Sequence, residues 1–262
     1  MPFDERTRIL LGDEGADALA TARACVFGLG GVGAAAAMDL VRAGVGSLVV
    51  VDFDAVSESN LNRLYFGYSG EVGRLKTEVF ADYAARVNPE CHVEAIGRIV
   101  HGAEAAGMIP ADCGVYLDCI DTLNPKVNLM AALARAGLPF VSAMGTAGRL
   151  APERLKVGRL WDATHCPLAS DVRKRLRRLG FGPPGASLAA LGDVGVSMPA
   201  AFECVWSDEP PVPPAMPPDG SRPGDCPGGV RVRAVQGSGP FVPQAAGHLL
   251  ASLAARRLLG RR

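Results

Sequence analysis

The chain has 262 residues, 48% of them hydrophobic, with 27 basic and 27 acidic side chains that cancel to a net charge of zero. That composition supplies ample material for a packed core and excludes attraction of the whole surface to nucleic acid, so any polyanion must be met by a local basic patch. Seven cysteines, an odd count without a CxxC pair, fit reduced thiols in a cytoplasmic protein better than a disulfide framework or a zinc ribbon.

In chain order, "MPFDERTRIL" is charged and lacks the apolar centre of a signal peptide. Residues 4–20 read as an amphipathic helical lead-in, and "RACVF" as a buried strand bounded by Gly28. A helix from Val32 to Ala43 and a strand "GSLVVVD" follow; the apolar run from Ala24 to Met38 is too short to span a membrane, and no membrane segment is expected. A helix over about 76–87 is stopped by "NP", and "CHVEAIGRIV" alternates as a third strand. "CGVYLDCID" reads as a strand, "PKVNLMAALARAG" as a helix with a glycine stop, and "LPFVSAMG" as the next strand. Strands alternating with helices of this length predict a doubly wound, Rossmann-like, mostly parallel sheet with helices on both faces.

Past Gly148 the pattern loosens. "RLAPERLKVGRLWDA" has the makings of further strands, and "ASDVRKRLRRLGF" predicts a basic helix ending at Gly180. Residues 207–229 are so rich in proline and glycine that a mobile loop is expected. "VPQAAGHLLASLAARRLLG" then restores a helix that packs back onto the sheet, making residues 1–262 one domain.

Gly28, Gly30 and Gly33 form G-x-G-x-x-G between a strand and a helix, with Asp52 ending the next strand 19 residues later. Glycines let a backbone approach phosphates, the helix N-terminus offers unbonded amides, and an aspartate at that position accepts ribose hydroxyls. Tight helix–strand packing gives the same glycine spacing, but the full strand–turn–helix–strand–Asp context favours a nucleotide. Alanines after Gly33 exclude a Walker A loop, so a triphosphate would need its cations from elsewhere. Arg63, at the end of "SESNLNR", and Lys76, in "GRLKTEV", return to the same sheet edge, although either alone reads as a surface charge. Asp121 emerges there too, where a carboxylate can hold Mg²⁺ against phosphate oxygens. Asp118 reads equally as a second metal support or a cap of the next helix.

The succession GLGGVG, VDFD, SNLNR, GRLK and LDCID resembles the ThiF/MoeB/HesA superfamily of ATP-dependent adenylating enzymes, which is related to ubiquitin-activating enzymes. Within it, "ERTRILLGDEG", "FVSAMGTAGRL", "CPLASDVRKRLRRLGF", "ECVWSDEPP" and "GSGPFVPQAAGHLLAS" look most like the tRNA threonylcarbamoyladenosine dehydratase branch. The resemblance implies a homodimer that binds ATP and Mg²⁺ and adenylates a carboxylate on a modified tRNA adenosine, which then closes into a ring with loss of AMP. It implies nucleotide contacts from Gly28, Gly30, Gly31, Gly33, Asp52, Asp54, Asn62, Arg63 and Lys76, a metal contact from Asp121, and catalytic roles for Asp121, Arg63, Lys76 and Arg6. Arg6 matches an arginine lent to the neighbouring protomer, with Arg8 as the alternative register. Arg173, Lys174, Arg177 and Arg178 are the expected tRNA contacts, ahead of the basic C-terminus.

Three other readings compete. One is an activator that adenylates the C-terminal glycine of a sulfur-carrier protein, with a sulfur-transfer partner; the missing CxxC module and the basic helix argue against it. The second is an NAD-dependent oxidoreductase, for which His101 has no evident partner, and the third a non-catalytic nucleotide-binding scaffold. Cys166 and Pro167, preceded by His165, stand where the family pattern has an acidic residue and a proline; neighbouring side chains such as His165 and Cys166 point apart, so a partly buried thiol without chemistry is expected. His92, His101, His165 and His248 lack metal-ligand spacing, Trp161 and Trp206 read as buried, and Met130, Met144 and Met198 as core fillers.

Overall fold

The computed structural model describes residues 3–98, 106–183, 196–197, 202–216 and 234–261. Its centre is a seven-stranded sheet with the order β3-β2-β1-β4-β5-β9-β6, built from β1 (Arg23–Phe27), β2 (Ser47–Val51), β3 (His92–Ile96), β4 (Val115–Asp118), β5 (Phe140–Ala143), β6 (Leu155–Gly158) and β9 (Glu203–Ser207). All neighbours are parallel except β6, which runs antiparallel to β9. A separate short pair joins β7 (Phe181–Gly182) to β8 (Val196–Ser197). Strands β1 and β2 are short apolar runs because both faces of a parallel sheet are covered by helices.

The two-residue period of β1 sorts its side chains between two cores. Ala24 and Val26 face one that contains Met38, Leu48, Phe66, Phe80 and Leu250. Cys25 and Phe27 face the other, with Tyr116, Met130, Phe140, Leu176 and Trp206. Helices α3 (Gly31–Arg42), α4 (Lys76–Val87) and α7 (Phe241–Leu258) cover the first face, while α5 (Leu123–Arg135) and α6 (Pro167–Arg178) cover the second. Helix α7 lies directly on α3: a side chain at Gly247 would stand 2.4 Å from the Val32 carbonyl oxygen. His248 Nδ1, 2.6 Å from Asp39, adds a polar contact between the same helices.

Chain order reverses between β1 and its two neighbours, β2 and β4. Strand C-termini diverge at such a switch point and leave a crevice, which is where open α/β sheets bind ligands.

Several elements depart from the sequence reading. The single lead-in helix is two, α1 (Glu5–Leu11) and α2 (Asp13–Thr21), broken at Gly12 with φ 78°. Helix α1 has no buried residue, and Ile9 and Leu10 are 73% and 78% exposed. The strand-forming stretch after Gly148 yields only β6; Pro152–Arg154 and Leu160–Asp162 are single 3₁₀ turns. The loosening pattern also hid β9, whose five residues insert between β5 and β6 and complete the sheet. Of the expected loop at 207–229, residues 217–229 lie outside the described residues, as do His101 and Met198.

Candidate active site

The crevice at the switch point is a cleft of about 840 Å³. Its floor is the turn from β1 into α3. Gly28 adopts φ 88° and passes close under the next strand's loop, where a Cβ would lie 3.0 Å from the Cys119 carbonyl oxygen. At Gly33 a Cβ would lie only 1.8 Å from the Gly28 carbonyl oxygen, so the third glycine serves strand–helix contact while Gly28, Gly30 and Gly31 face the cleft. The first turn of α3 has no side-chain cap, so its amide donors are left for the cleft.

Asp52, 8% exposed, ends β2 beside this turn. One carboxylate oxygen accepts from Leu29 N at 2.5 Å and the other from Asp54 N at 2.8 Å, which fixes the side chain and leaves acceptor capacity on both oxygens. Lys76 is buried at the start of α4, and its Nζ lies 2.7 Å from the half-exposed Asp54 carboxylate. Arg63 crosses the α3 N-terminus: a Cβ at Gly31 would come within 3.3 Å of its side chain. Its NH1 donates to the Ser59 carbonyl and to Asn62 Oδ1, leaving Nε and NH2 without partners among the described residues.

Asn62 does not line the cleft. Its amide accepts from Arg63 and donates to the Ser238 carbonyl, so it braces the arginine, and Asn60 takes the lining position. Asp121 lines the cleft and is exposed, and among the described residues only Thr122 Oγ1 donates to it, at 3.2 Å. A carboxylate without a cationic partner among the described residues, beside a triphosphate-sized crevice, is a hard-oxygen donor suited to Mg²⁺. Arg6 is on α1 and does not line the cleft; among the described residues it makes no hydrogen bond or ion pair. Arg8 is held by Asp4, Asp13 and Asp17 of its own chain.

Asp118 neither reaches toward a metal nor caps α5. It is fully buried against Lys126, also fully buried, with Nζ 2.7 Å from Oδ2. Ser142 Oγ donates to the same oxygen at 2.6 Å, and Ile120 N to the other at 3.1 Å. Lys126 Nζ also donates to the Ile120 carbonyl, which ties the loop carrying Asp121 to the interior. This network escaped the sequence reading, although Lys126 lies on the apolar stripe of α5, in phase with Met130 and Leu133. Two more cleft cations were missed: exposed Arg98 after β3, and buried Arg149 in the loop after β5.

Burial pushes the Cys119 thiol well above its ordinary range, and Cys166 is buried beneath Gly145 at the α6 N-terminus. In α6, half-buried Arg173 donates from NH1 to the Leu160 and Ala163 carbonyls at 2.9 and 2.7 Å, so it braces the preceding turn. Lys174, Arg175, Arg177 and Arg178 are exposed, and Pro167 and Leu168 of the same helix line the cleft.

A profile of the ThiF family matches residues 5–153. The tRNA threonylcarbamoyladenosine dehydratase of Escherichia coli is 33% identical over 203 residues, which is 78% of this chain and 72% of that protein. The molybdopterin-synthase adenylyltransferase of the same organism is 38% identical over 129 residues, 49% of this chain and 51% of that one. The crystal structure of the E. coli dehydratase in complex with ATP superposes with a TM-score of 0.79 at 28% identity, covering 97% of this chain and 93% of that one.

Proposed function

The chain belongs to the ThiF family, and we propose that it is an ATP-dependent dehydratase that cyclises the threonylcarbamoyl group on a tRNA adenosine by adenylating its carboxylate. The observation that carries the reading is the convergence of Asp52, Arg63, Lys76 and Asp121 on one cleft at the glycine-loop helix N-terminus, in a chain that aligns with the E. coli dehydratase over nearly its whole length.

In this mechanism Asp52 accepts the ribose hydroxyls and the first turn of α3 donates to the phosphates. The substrate carboxylate attacks the α-phosphorus and pyrophosphate leaves; no protein nucleophile is needed. Lys76, exchanging Asp54 for an α-phosphate oxygen, and Arg63, through its unengaged Nε and NH2, stabilise the charge that develops. Asp121 would hold Mg²⁺, whose chemistry is to neutralise phosphate charge. Attack within the same modification on the adenylated carbonyl closes the ring and releases AMP, for a net loss of one water.

We assign a homodimer to the protein, with Arg6 reaching the neighbouring protomer's cleft. The support is an α1 that exposes Ile9 and Leu10, an Arg6 without partners among the described residues, and an Arg8 already committed to three carboxylates. The exposed arginines and lysine of α6, beginning at the cleft, are assigned to the tRNA backbone.

Mass spectrometry of nucleosides from tRNA bearing threonylcarbamoyladenosine, incubated with the protein with and without ATP and Mg²⁺, tests the reading. ATP-dependent loss of one water supports it. An unchanged nucleoside with folded, ATP-binding protein refutes it and turns attention to the second reading, activation of a sulfur-carrier protein. That reading has its own support in the 38% identity, over 129 residues of this chain, to a molybdopterin-synthase adenylyltransferase.

A further inference from the structure

The cleft has two unlike walls. The wall formed by β1, β2 and the loops after them carries Asp52, Asp54, Arg63 and Lys76, the residues assigned to ATP. The facing wall is made of the loop after β5, the start of α6 and the segment after β9, and among the described lining residues it holds a single cation, Arg149.

Arg149 is 8% exposed and is built in from three directions. Nε donates to the Glu209 carbonyl at 2.9 Å, NH1 to the Gly145 and Ala147 carbonyls at 2.9 and 3.1 Å, and NH2 to the His165 carbonyl at 3.2 Å. The last carbonyl is presented by a non-glycine residue in the left-handed region, His165 at φ 50°. Four of the guanidinium's five N–H groups are thereby used, and the fifth, on NH2, has no partner among the described residues.

None of these acceptors is a carboxylate. Glu209 is the acidic group nearest in sequence to the bonded carbonyls, but its oxygens accept from Leu150 N and Ala151 N, and Arg149 forms no ion pair within the described residues. The Arg149 charge helps to hold the Glu209 carboxyl pKa down, but that carboxylate is engaged by Leu150 N and Ala151 N and does not pair with the guanidinium; burying a cation without a directly paired counter-charge is costly, and carbonyl dipoles moderate that cost without removing the charge. A bound anion removes it.

We propose that Arg149 recognises the carboxylate that becomes adenylated, presenting it from the wall opposite the nucleotide. This rests on the functional reading above: the reaction needs one further anionic group in the cleft besides the triphosphate, and this wall has the cation to receive it. The placement also separates the attacking carboxylate from the cations that hold the phosphates, so two like-charged reactants are bound by different residues.

The test compares Arg149→Lys, which keeps the charge and loses the fork, with Arg149→Met, which loses both. ATP affinity is measured by calorimetry, and dehydration of the modified tRNA by steady-state kinetics, on variants whose thermal melts show them folded. Should the methionine variant not fold, Arg149→Gln, which keeps amide donors without charge, replaces it. The expectation is unchanged ATP affinity in all variants, a KM for modified tRNA raised about tenfold or more in the uncharged variant, and substantial recovery of that KM with lysine. Equal impairment by lysine and methionine, or parallel loss of ATP affinity, identifies a purely structural clamp and overturns the assignment. Wild-type protein that leaves the modified nucleoside intact overturns the functional reading, and the carboxylate assignment with it.

Discussion

Replacing Lys126 by methionine removes a charge that solvent never reaches. Lys126 and Asp118 are both fully buried, and the substitution keeps the side-chain length while leaving the Asp118 carboxylate with only Ser142 Oγ and Ile120 N as donors. Breaking a buried pair by deleting one partner costs about 3–5 kcal/mol, because the surviving charge is stranded. For a chain of this size, roughly 2–4 °C per kcal/mol gives a fall in Tm of about 6–20 °C. The double variant Asp118→Asn, Lys126→Met has no stranded charge and is expected to be more stable than Lys126→Met alone. Urea unfolding followed by circular dichroism on wild type, both single variants and the double measures the coupling directly. A single-variant loss below about 1 kcal/mol, or a double variant as damaged as the sum of the singles, would falsify the view that this pair is a coupled interior unit.

Three further outcomes are expected. Lys76→Ala and Asp121→Ala should each lower the rate of AMP formation by about 10²-fold or more while the circular dichroism spectrum is retained, and near-normal turnover in either would remove that residue from the mechanism. Glu209 has its carboxyl pKa held below the ordinary 4.5, first by Ala151 N–H and then by Leu150 N–H and the Arg154 and Arg149 charges. Its folded pKa being depressed, it stabilises the protein above pH 4.5 and that contribution fades as pH falls through the lowered value. The Tm gap between wild type and Glu209→Gln should therefore be constant near neutrality and close on acidification; a gap that widens below pH 4.5 contradicts the assignment. In α6, Lys174→Ala, Arg177→Ala and Arg178→Ala should each weaken tRNA binding and lower the slope of log K against log salt by about 0.7–0.9. Arg173→Ala should instead cost stability, about 1–3 kcal/mol, with the slope unchanged.

Legibility in the sequence followed the range of the interactions involved. The glycine turn, α3 and Asp52 were readable because one strand, one turn and one helix place them by local geometry alone, and α4 and α5 because their apolar periods are long. Asn62 was assigned by its neighbourhood to Arg63, but its contact with Ser238 lies 176 positions away and no local pattern encodes it. Strand β9 was missed for a similar reason: five residues between stretches without clear periodicity carry little signal until β5 and β6 are there to pair with them. Lys126 did carry a signal, a lysine in phase with an apolar stripe, but its partner in β4 can be inferred only once the sheet is known. Arg149 looked like any loop arginine until four carbonyls, two of them from Glu209 and His165 far along the chain, were seen to converge on it.

The seating of α7 on α3 bears on how the protein is made. Pro243 of α7 lies within reach of the Gly31 turn, Gln244 Nε2 donates to the Arg63 carbonyl, and Gly247 presses on Val32. The outer support of the phosphate-binding turn is thus supplied by the helix that follows every other described element in the chain. During synthesis on a ribosome, the glycine turn, Asp52 and Lys76 emerge long before that helix does. A nascent chain can therefore build the inner sheet early, yet it completes the nucleotide cleft only after α7 has left the exit tunnel, so a truncated translation product ending before residue 241 is a protein without a finished site.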